Sequence, residues 1–229
     1  METPGQMIVF DMDGVLVDVT ESYRETIVQT VKYFSGRKIE RAAIQDYKNQ
    51  GGWNNDWLLS QKILADFGVD VEYQTVVDEF QRIFFGPNGN DGLMQREEWI
   101  DTTGTLARLA TRFEFSVFTG RLRAEAQMTL DRFAMDLDFA PVVGDDNVSQ
   151  GKPDPEGLLQ IVNANPGRDH WYIGDTVDDA RSARAAGVPF IGVGHRRDAG
   201  HAKTVALMEA EGAIAIIESI NELEKIFPA

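Results

Sequence analysis

Cysteine is absent from the 229-residue chain, which excludes disulfides, thiolate zinc sites and cysteine nucleophiles. Histidine is scarce. His170, His195 and His201 are not spaced as a metal triad and read as surface or loop residues. Basic residues are outnumbered, 22 Lys and Arg against 37 Asp and Glu, for a formal net charge of −15. That balance argues against nucleic acid and against anionic membrane surfaces as partners. No apolar run approaches the roughly 20 residues that cross a bilayer. Residues 1–6 have neither the basic region nor the apolar core of a signal peptide. A cytoplasmic location is the expectation.

What is present is sharply punctuated. The run Met7-Ile8-Val9-Phe10 ends in Asp11 and Asp13, one residue apart, with Gly14 behind them. A buried strand of this kind places both acids at its mouth. Burying them there costs free energy unless a cation meets them, so the pair points to Mg²⁺ and a phosphate group. From about residue 20 to 97 only helical spacing is legible, in three sets. They are Tyr23, Ile27, Val31 and Phe34; then Leu59, Ile63 and Phe67; then Val76, Val77, Phe80, Ile83 and Phe84. Gly36, Gly68 and Gly86-Pro87 mark the ends of these helices. The expected organisation is therefore a helical module of 20–97 inserted into a core made of 1–19 and 98–229. Asn88-Gly89-Asn90-Asp91-Gly92 reads as a flexible connection back.

Beyond that point helix and strand alternate. Apolar runs at 115–118, 139–143, 171–173, 189–193 and 213–217 are separated by helical patterns. Among these are 106–113, 123–133, 154–162 and 176–186, and a last pattern carries Leu223, Ile226 and Phe227. Pro141 suggests the start of its strand. Such alternation implies right-handed crossovers and a parallel sheet. The expected fold is α/β, a Rossmann-like core with helices on both faces. Ligands bind outside the carboxyl ends of such strands. Asp11, Asp13, Thr119 and Asp175 all fall at or just after strand ends, and Lys152 lies one loop beyond. Groups far apart in sequence then meet at one sheet edge.

Phosphoryl transfer needs an in-line nucleophile, a cation on the phosphate oxygens and a group that protonates the leaving oxygen. Asp11 supplies the nucleophile of an aspartyl phosphate. Asp13, two residues on along an extended strand and so on the same side, supplies the acid and then the base. Mg²⁺ takes oxygen ligands and keeps several waters, so Asp11, Asp175 and the backbone carbonyl of Asp13 suffice. The Thr119 hydroxyl and the Lys152 ammonium hold the remaining phosphate oxygens, with Gly120 and Arg121 beside them. The chain's negative charge is no obstacle, because a metal and one or two local cations dominate a cleft.

The four clusters resemble the haloacid dehalogenase superfamily of hydrolases. Asp11-Met12-Asp13-Gly14-Val15 is similar to its first motif, Phe118-Thr119 to the second and Lys152-Pro153 to the third. Gly174-Asp175-Thr176-Val177-Asp178-Asp179 is similar to the fourth. The order is the family's and the motifs span the chain. The insert between the first two resembles that of the subfamily with a small α-helical cap, a domain that closes over the site and reads the leaving group. The resemblance also implies phosphoester chemistry, because dehalogenases and phosphonate-cleaving members lack an acid where Asp13 stands. That leaves a phosphatase acting on a sugar phosphate or similar small molecule, or a phosphomutase. A phospho-receiver signalling module also combines aspartates, a hydroxyl and a lysine on a parallel sheet. It would place its phosphorylated acid on a middle strand and carry no cap.

Several positions carry two readings. Asp179 matches the last acid of the fourth motif and would stand behind the metal ligands, as would Asp178, yet Thr176-x-x-Asp179 is also a capping-box pattern. Arg121 reaches phosphate or substrate, or faces solvent. Asp18 matches an acid seen soon after the first motif, or caps a helix. Trp53, Asn54 and Asn55 offer the stacking and hydrogen-bond groups of a substrate-selecting loop. Otherwise Asn55 or Asp56 caps the next helix and Trp53 packs inward. Gly151-Lys152 is no phosphate loop, since Pro153 replaces its Ser or Thr, and Gly192-Val193-Gly194 lacks the third glycine of a dinucleotide fingerprint, Arg197 standing there.

Overall fold

In chain order the first elements are β1 (Gln6–Phe10), β2 (Val17–Asp18), α1 (Tyr23–Ser35), α2 (Arg41–Lys48), α3 (Asp56–Asp66), α4 (Tyr73–Phe85) and β3 (Glu98–Trp99). Then come α5 (Thr105–Leu109), β4 (Phe113–Phe118), α6 (Arg123–Phe133), β5 (Phe139–Val143), α7 (Glu156–Ala164) and β6 (Asp169–Gly174). The last are α8 (Val177–Ala186), β7 (Phe190–Val193), α9 (His201–Ala210) and β8 (Ala215–Ile217). This computed structural model describes residues 5–197 and 200–228, so most of the 1–6 segment lies outside the described residues. The chain divides into two compact units, Met1–Val17 with Trp99–Ala229, and Asp18–Glu98.

The first unit is built on a six-stranded parallel sheet of order β5-β4-β1-β6-β7-β8. From β1 the chain builds outward through β4 and β5, then returns to the far side of β1 for β6, β7 and β8. That reversal makes β1 the switch point, where a crevice opens at the carboxyl ends of the strands. Register decides what lies there. Phe10 is level with Val117 on one side and Ile173 on the other, so Asp11, Thr119 and Asp175 come one or two residues past the same line.

Both faces of β1 are covered, which is why Met7 to Phe10 form an unbroken apolar run. Met7 and Val9 pack with Phe118, Leu158, Ile161, Tyr172 and Phe190. On the other face the Phe10 ring meets Phe115 at 5.3 Å and Phe139 at 6.1 Å, both edge-on. Pro141 proves to be the middle residue of β5, not its start. It is tolerated because β5 is an edge strand, and its carbonyl accepts from Ser116 Oγ at 2.5 Å.

Other differences from the sequence reading have local causes. The pattern 106–113 is split, with Phe113 opening β4 rather than closing α5. Neither α2 nor α9 was legible, because each buries only two residues, Ile44 with Gln45 and Thr204 with Met208. The terminal pattern is a 3₁₀ helix at Ile220–Lys225. His170 is neither a surface nor a loop residue. It lies buried in β6, where burial holds its imidazole below the usual range.

The second unit is helical, with α1, α3 and α4 around an aromatic centre. Tyr23 stacks at 4.2 Å on Phe84 and 5.8 Å on Phe80, and Trp57 meets Phe80 edge-on at 6.5 Å. Ile27, Val31, Leu59, Ile63 and Val76 are buried around them. Residues 88–92 form a bonded turn instead of a loose connection: Asn88 N donates to Asp91 Oδ1 at 3.0 Å and Gly92 N to Phe85 O at 2.9 Å. β2 and β3, which carry the chain out of and back into the first unit, pair with each other. Among the described residues no helix is long and apolar enough to cross a membrane.

Replacing a buried Phe by Ala costs about 3–5 kcal/mol. Phe10→Ala, at the centre of the Phe115–Phe139 cluster, is expected to lose that much in urea denaturation. A loss below about 1 kcal/mol would show that the ring contributes little beyond its exposed-state value.

Candidate active site

Asp11 continues β1. Its N–H donates to Ile173 O at 2.8 Å, one more rung of the β1–β6 pairing. The residue is 4 % exposed. Its Oδ1 accepts from Met12 N at 2.7 Å and pairs with Lys152 Nζ at 2.8 Å. Lys152 comes from the loop between β5 and α7, and its ammonium also lies 2.7 Å from Asp179 Oδ1. The rings of Phe118 and Tyr172 stand 5.0 and 5.5 Å from it, near enough for cation–π attraction.

Asp179 sits in the first turn of α8 and is fully committed. Oδ1 also accepts from Tyr172 OH at 2.7 Å, while Oδ2 accepts from Thr176 N at 3.0 Å and Thr176 Oγ1 at 2.6 Å. The bond from Thr176 N, with that from Asp179 N to Thr176 Oγ1, closes a capping box. Asp175 lies against the loop after β1. Gly14 there has φ +77°, and a methyl group on it would run into Asp175 Oδ2, so glycine is required on two counts. Asp11, Asp175 and Asp179 each present an oxygen within 4.8 Å of the other two.

Three carboxylates against one ammonium leave two negative charges. Burial pushes the Asp11 carboxyl up; Lys152 pulls it back, Asp179 and Asp13 push it further, and it reaches about 7. Asp179 feels the same burial, but Lys152, Thr176 and Tyr172 hold it below the usual carboxylate range. Burial would lower Lys152, yet Asp11 and Asp179 outweigh it and keep the ammonium charged. The underserved group is Asp11. Among the described residues its Oδ2 takes no hydrogen bond. Oxygen donors with a charge deficit of two suit a divalent cation.

Asp13 is held from the side. Arg121 Nε and Nη2 approach its Oδ1 at 2.7 and 2.6 Å, and Nη1 donates to Thr129 Oγ1 on α6 at 2.8 Å. Arg121 is thus buried and engaged with protein groups, neither solvent-facing nor open to a ligand. Thr119 is buried too. Its N–H donates to Val143 O at 3.0 Å and its Oγ1 accepts from Arg121 N at 3.2 Å, with Gly120 half-buried between them.

Two neighbours escaped the sequence reading. His195, a half-buried loop residue as expected, has its Nε2 2.7 Å from Gly14 O and pins the loop behind Asp13. The signal was available, since His195 stands just past the end of β7. Tyr172 reads as an ordinary strand residue, and nothing in sequence marks its hydroxyl.

The other candidates have local partners or surroundings of their own. Asp178 is buried and pairs with Arg181 at 3.4 Å, outside the three-carboxylate group. Asp18 Oδ1 accepts from Thr20 N at 2.9 Å. Asn55 Oδ1 caps α3, accepting from Trp57 N at 3.0 Å and Leu58 N at 3.1 Å. Asp56 pairs with Lys48 at 2.8 Å, and Trp53 and Asn54 are half-buried in the loop between α2 and α3.

The family model for haloacid dehalogenase-like hydrolases matches residues 8–193. The chain belongs to that family. Similar to this chain is the imidazoleglycerol-phosphate dehydratase of Phytophthora nicotianae, 31 % identical over an alignment of 203 positions that covers 84 % of this chain and 44 % of that protein. The hydrolase therefore spans less than half of that relative. A phosphoglycolate phosphatase of Pseudomonas fluorescens is 24 % identical over an alignment of 235 positions, gaps included, that covers 96 % of this chain and 80 % of that one. Among solved structures, a phosphatase from Thermococcus thioreducens superposes with a TM-score of 0.64 at 25 % identity, covering 88 % of the hydrolase and 99 % of that chain.

Removing one member of a buried ion pair costs about 3–5 kcal/mol. Lys152→Met, which strands Asp11 and Asp179 together, should lose that much stability in urea unfolding with chelator present. A loss below about 1 kcal/mol would mean that water already serves the two carboxylates.

Proposed function

We propose that this hydrolase is a Mg²⁺-dependent phosphatase that cleaves a small phosphoester, a sugar phosphate or similar metabolite, through an aspartyl phosphate on Asp11. The observation that carries the reading is the state of Asp11: buried, paired with Lys152 through one oxygen, and taking no hydrogen bond from the described residues at the other. The phosphatases among its relatives support the same reaction. A resident Mg²⁺ would be held by Asp11, Asp175 and the Asp13 backbone carbonyl, with Asp179 behind them, and would neutralise the transferring phosphoryl oxygens.

The chain's own groups divide the remaining work. Lys152 has three N–H donors; two face Asp11 and Asp179, and the third serves a phosphate oxygen. Thr119 Oγ1 already accepts from Arg121 N, so its own hydrogen is free to donate to a phosphate oxygen. Asp11 Oδ2 attacks phosphorus, and Asp13 protonates the departing alcohol and then takes a proton from water.

Phosphate release from 2-phosphoglycolate, imidazoleglycerol phosphate and hexose phosphates tests the reading. Activity should vanish in EDTA, and Asp11→Asn should fall by more than about 10³-fold, the order expected on losing a nucleophile. Turnover that needs no divalent metal, or survives Asp11→Asn, would sink the mechanism. An isomeric sugar phosphate in place of free phosphate would identify a mutase.

Cation binding should also follow pH. Asp11 binds a cation only as a carboxylate, and in the metal-free protein it titrates near 7. Calorimetric Mg²⁺ affinity should therefore be flat above that pH and fall by about tenfold per unit below it. Affinity unchanged between pH 8 and pH 5 would remove Asp11 from the ligand set.

A further inference from the structure

Both N–H groups that Arg121 turns toward Asp13 fall on the same oxygen, Oδ1. Among the described residues, none of the hydrogen bonds of Asp13 falls on Oδ2. The pair also has a covered and an open side, the Arg121 side chain being 1 % exposed and that of Asp13 30 %. Arg121 is itself immobilised at every point that could let it follow Asp13. Its N–H donates to Thr119 Oγ1 at 3.2 Å, its carbonyl accepts from Asp145 N at 2.9 Å, and Nη1 is tied to Thr129 Oγ1 at 2.8 Å. A guanidinium fixed in this way sets the position of its partner carboxylate.

We infer that Arg121 is the positioning residue of the acid–base step, holding Asp13 by Oδ1 so that the proton in transit resides on Oδ2. The inference rests on the phosphatase reading and says which atom of Asp13 does the work. A neutral carboxyl group has one O–H donor and one carbonyl-like acceptor. Two N–H groups aimed at Oδ1 make it the acceptor and leave no room for a hydrogen there. Lysine would not do the same, because it offers a point charge in place of a planar fork.

The step then runs as follows. Asp11 Oδ2 forms a bond to phosphorus as the bond from phosphorus to the alcohol oxygen breaks. That oxygen keeps the electron pair and takes the proton from Asp13 Oδ2, leaving Asp13 as carboxylate. In the second half Asp13 Oδ2 accepts a proton from water, whose oxygen bonds to phosphorus. The bond from phosphorus to Asp11 breaks, phosphate departs, and both acids return to their starting states. Through both halves Oδ1 stays on Arg121.

The test uses leaving groups. An alkyl phosphate needs the acid in the first half, whereas p-nitrophenyl phosphate, whose phenolate leaves unaided, does not. Arg121→Met should lower kcat on the alkyl substrate by about 10²-fold, the lower end of what acid–base catalysis supplies. The loss on p-nitrophenyl phosphate should be several-fold smaller, and KM should change little on either. Asp13→Asn run in parallel gives the leaving-group pattern of a missing acid, and Arg121→Lys should restore part of the alkyl activity. An equal loss on both substrates, or a KM rise on both from lost phosphate binding, overturns the inference. Thr129→Val, which removes the hydroxyl that Nη1 donates to, should show the same pattern more weakly and serves should Arg121→Met not fold. A wild-type enzyme without metal-dependent phosphate release would defeat the phosphatase reading alone. The crystal structure of Arg121→Met or Thr129→Val decides the positioning role independently: a displaced Asp13 carboxylate upholds it, and an unmoved one overturns it.

Discussion

A single ammonium group makes the site possible. Lys152 stands between the carboxylates of Asp11 and Asp179, each within 3 Å and all three buried. Two carboxylates that close in a covered space do not both stay ionised without a cation. The cost of burying the charges is offset by the mutual geometry and by the hydrogen bonds that occupy the remaining lone pairs. Much of the surrounding architecture serves that geometry. Phe118 and Tyr172 wall the ammonium, Tyr172 also donates to Asp179, and the opening of α8 gives Asp179 two further donors.

Asp179 illustrates why a structural and a functional explanation need not compete. It closes the capping box of α8, and a cap of this type stabilises a helix by about 1 kcal/mol. The same carboxylate is the second partner of Lys152. Because both oxygens are committed, it cannot turn toward a ligand without giving up the cap. Fixing the helix start thereby fixes the electrostatics of Asp11. Gly14 does comparable work without a side chain, since its bareness allows the loop after β1 to lie against Asp175.

The legible part of the site is the part that strand ends dictate. Asp11, Thr119 and Asp175 follow apolar runs in a parallel sheet, and registry alone brings them level. The six-stranded α/β core was legible for the same reason, since each strand is a short apolar run set off by helical spacing. Lys152 was legible less directly, from its place one loop beyond a strand end and from motif order, because a loop lysine carries no periodic signal. Partnerships across the chain were out of reach. Arg121 and Asp13 are 108 residues apart, and nothing local says that the guanidinium turns inward. The loop position of His195 was legible, but its bond to Gly14, 181 residues away, was not. The helices α2 and α9 escaped because a stripe needs more than two buried residues to show a period.

The amide of Asp11 is a rung of the central strand pair, donating to Ile173 where the carboxyl ends of both strands are buried. Strands in that position open only when the sheet as a whole comes apart, at the top of the local-stability range. Asp11 therefore belongs to the same cooperative unit as the core. A chain damaged elsewhere in this sheet does not pass through a form with Asp11 in place and its neighbours adrift. The buried carboxylate is either set or lost together with the fold that sets it.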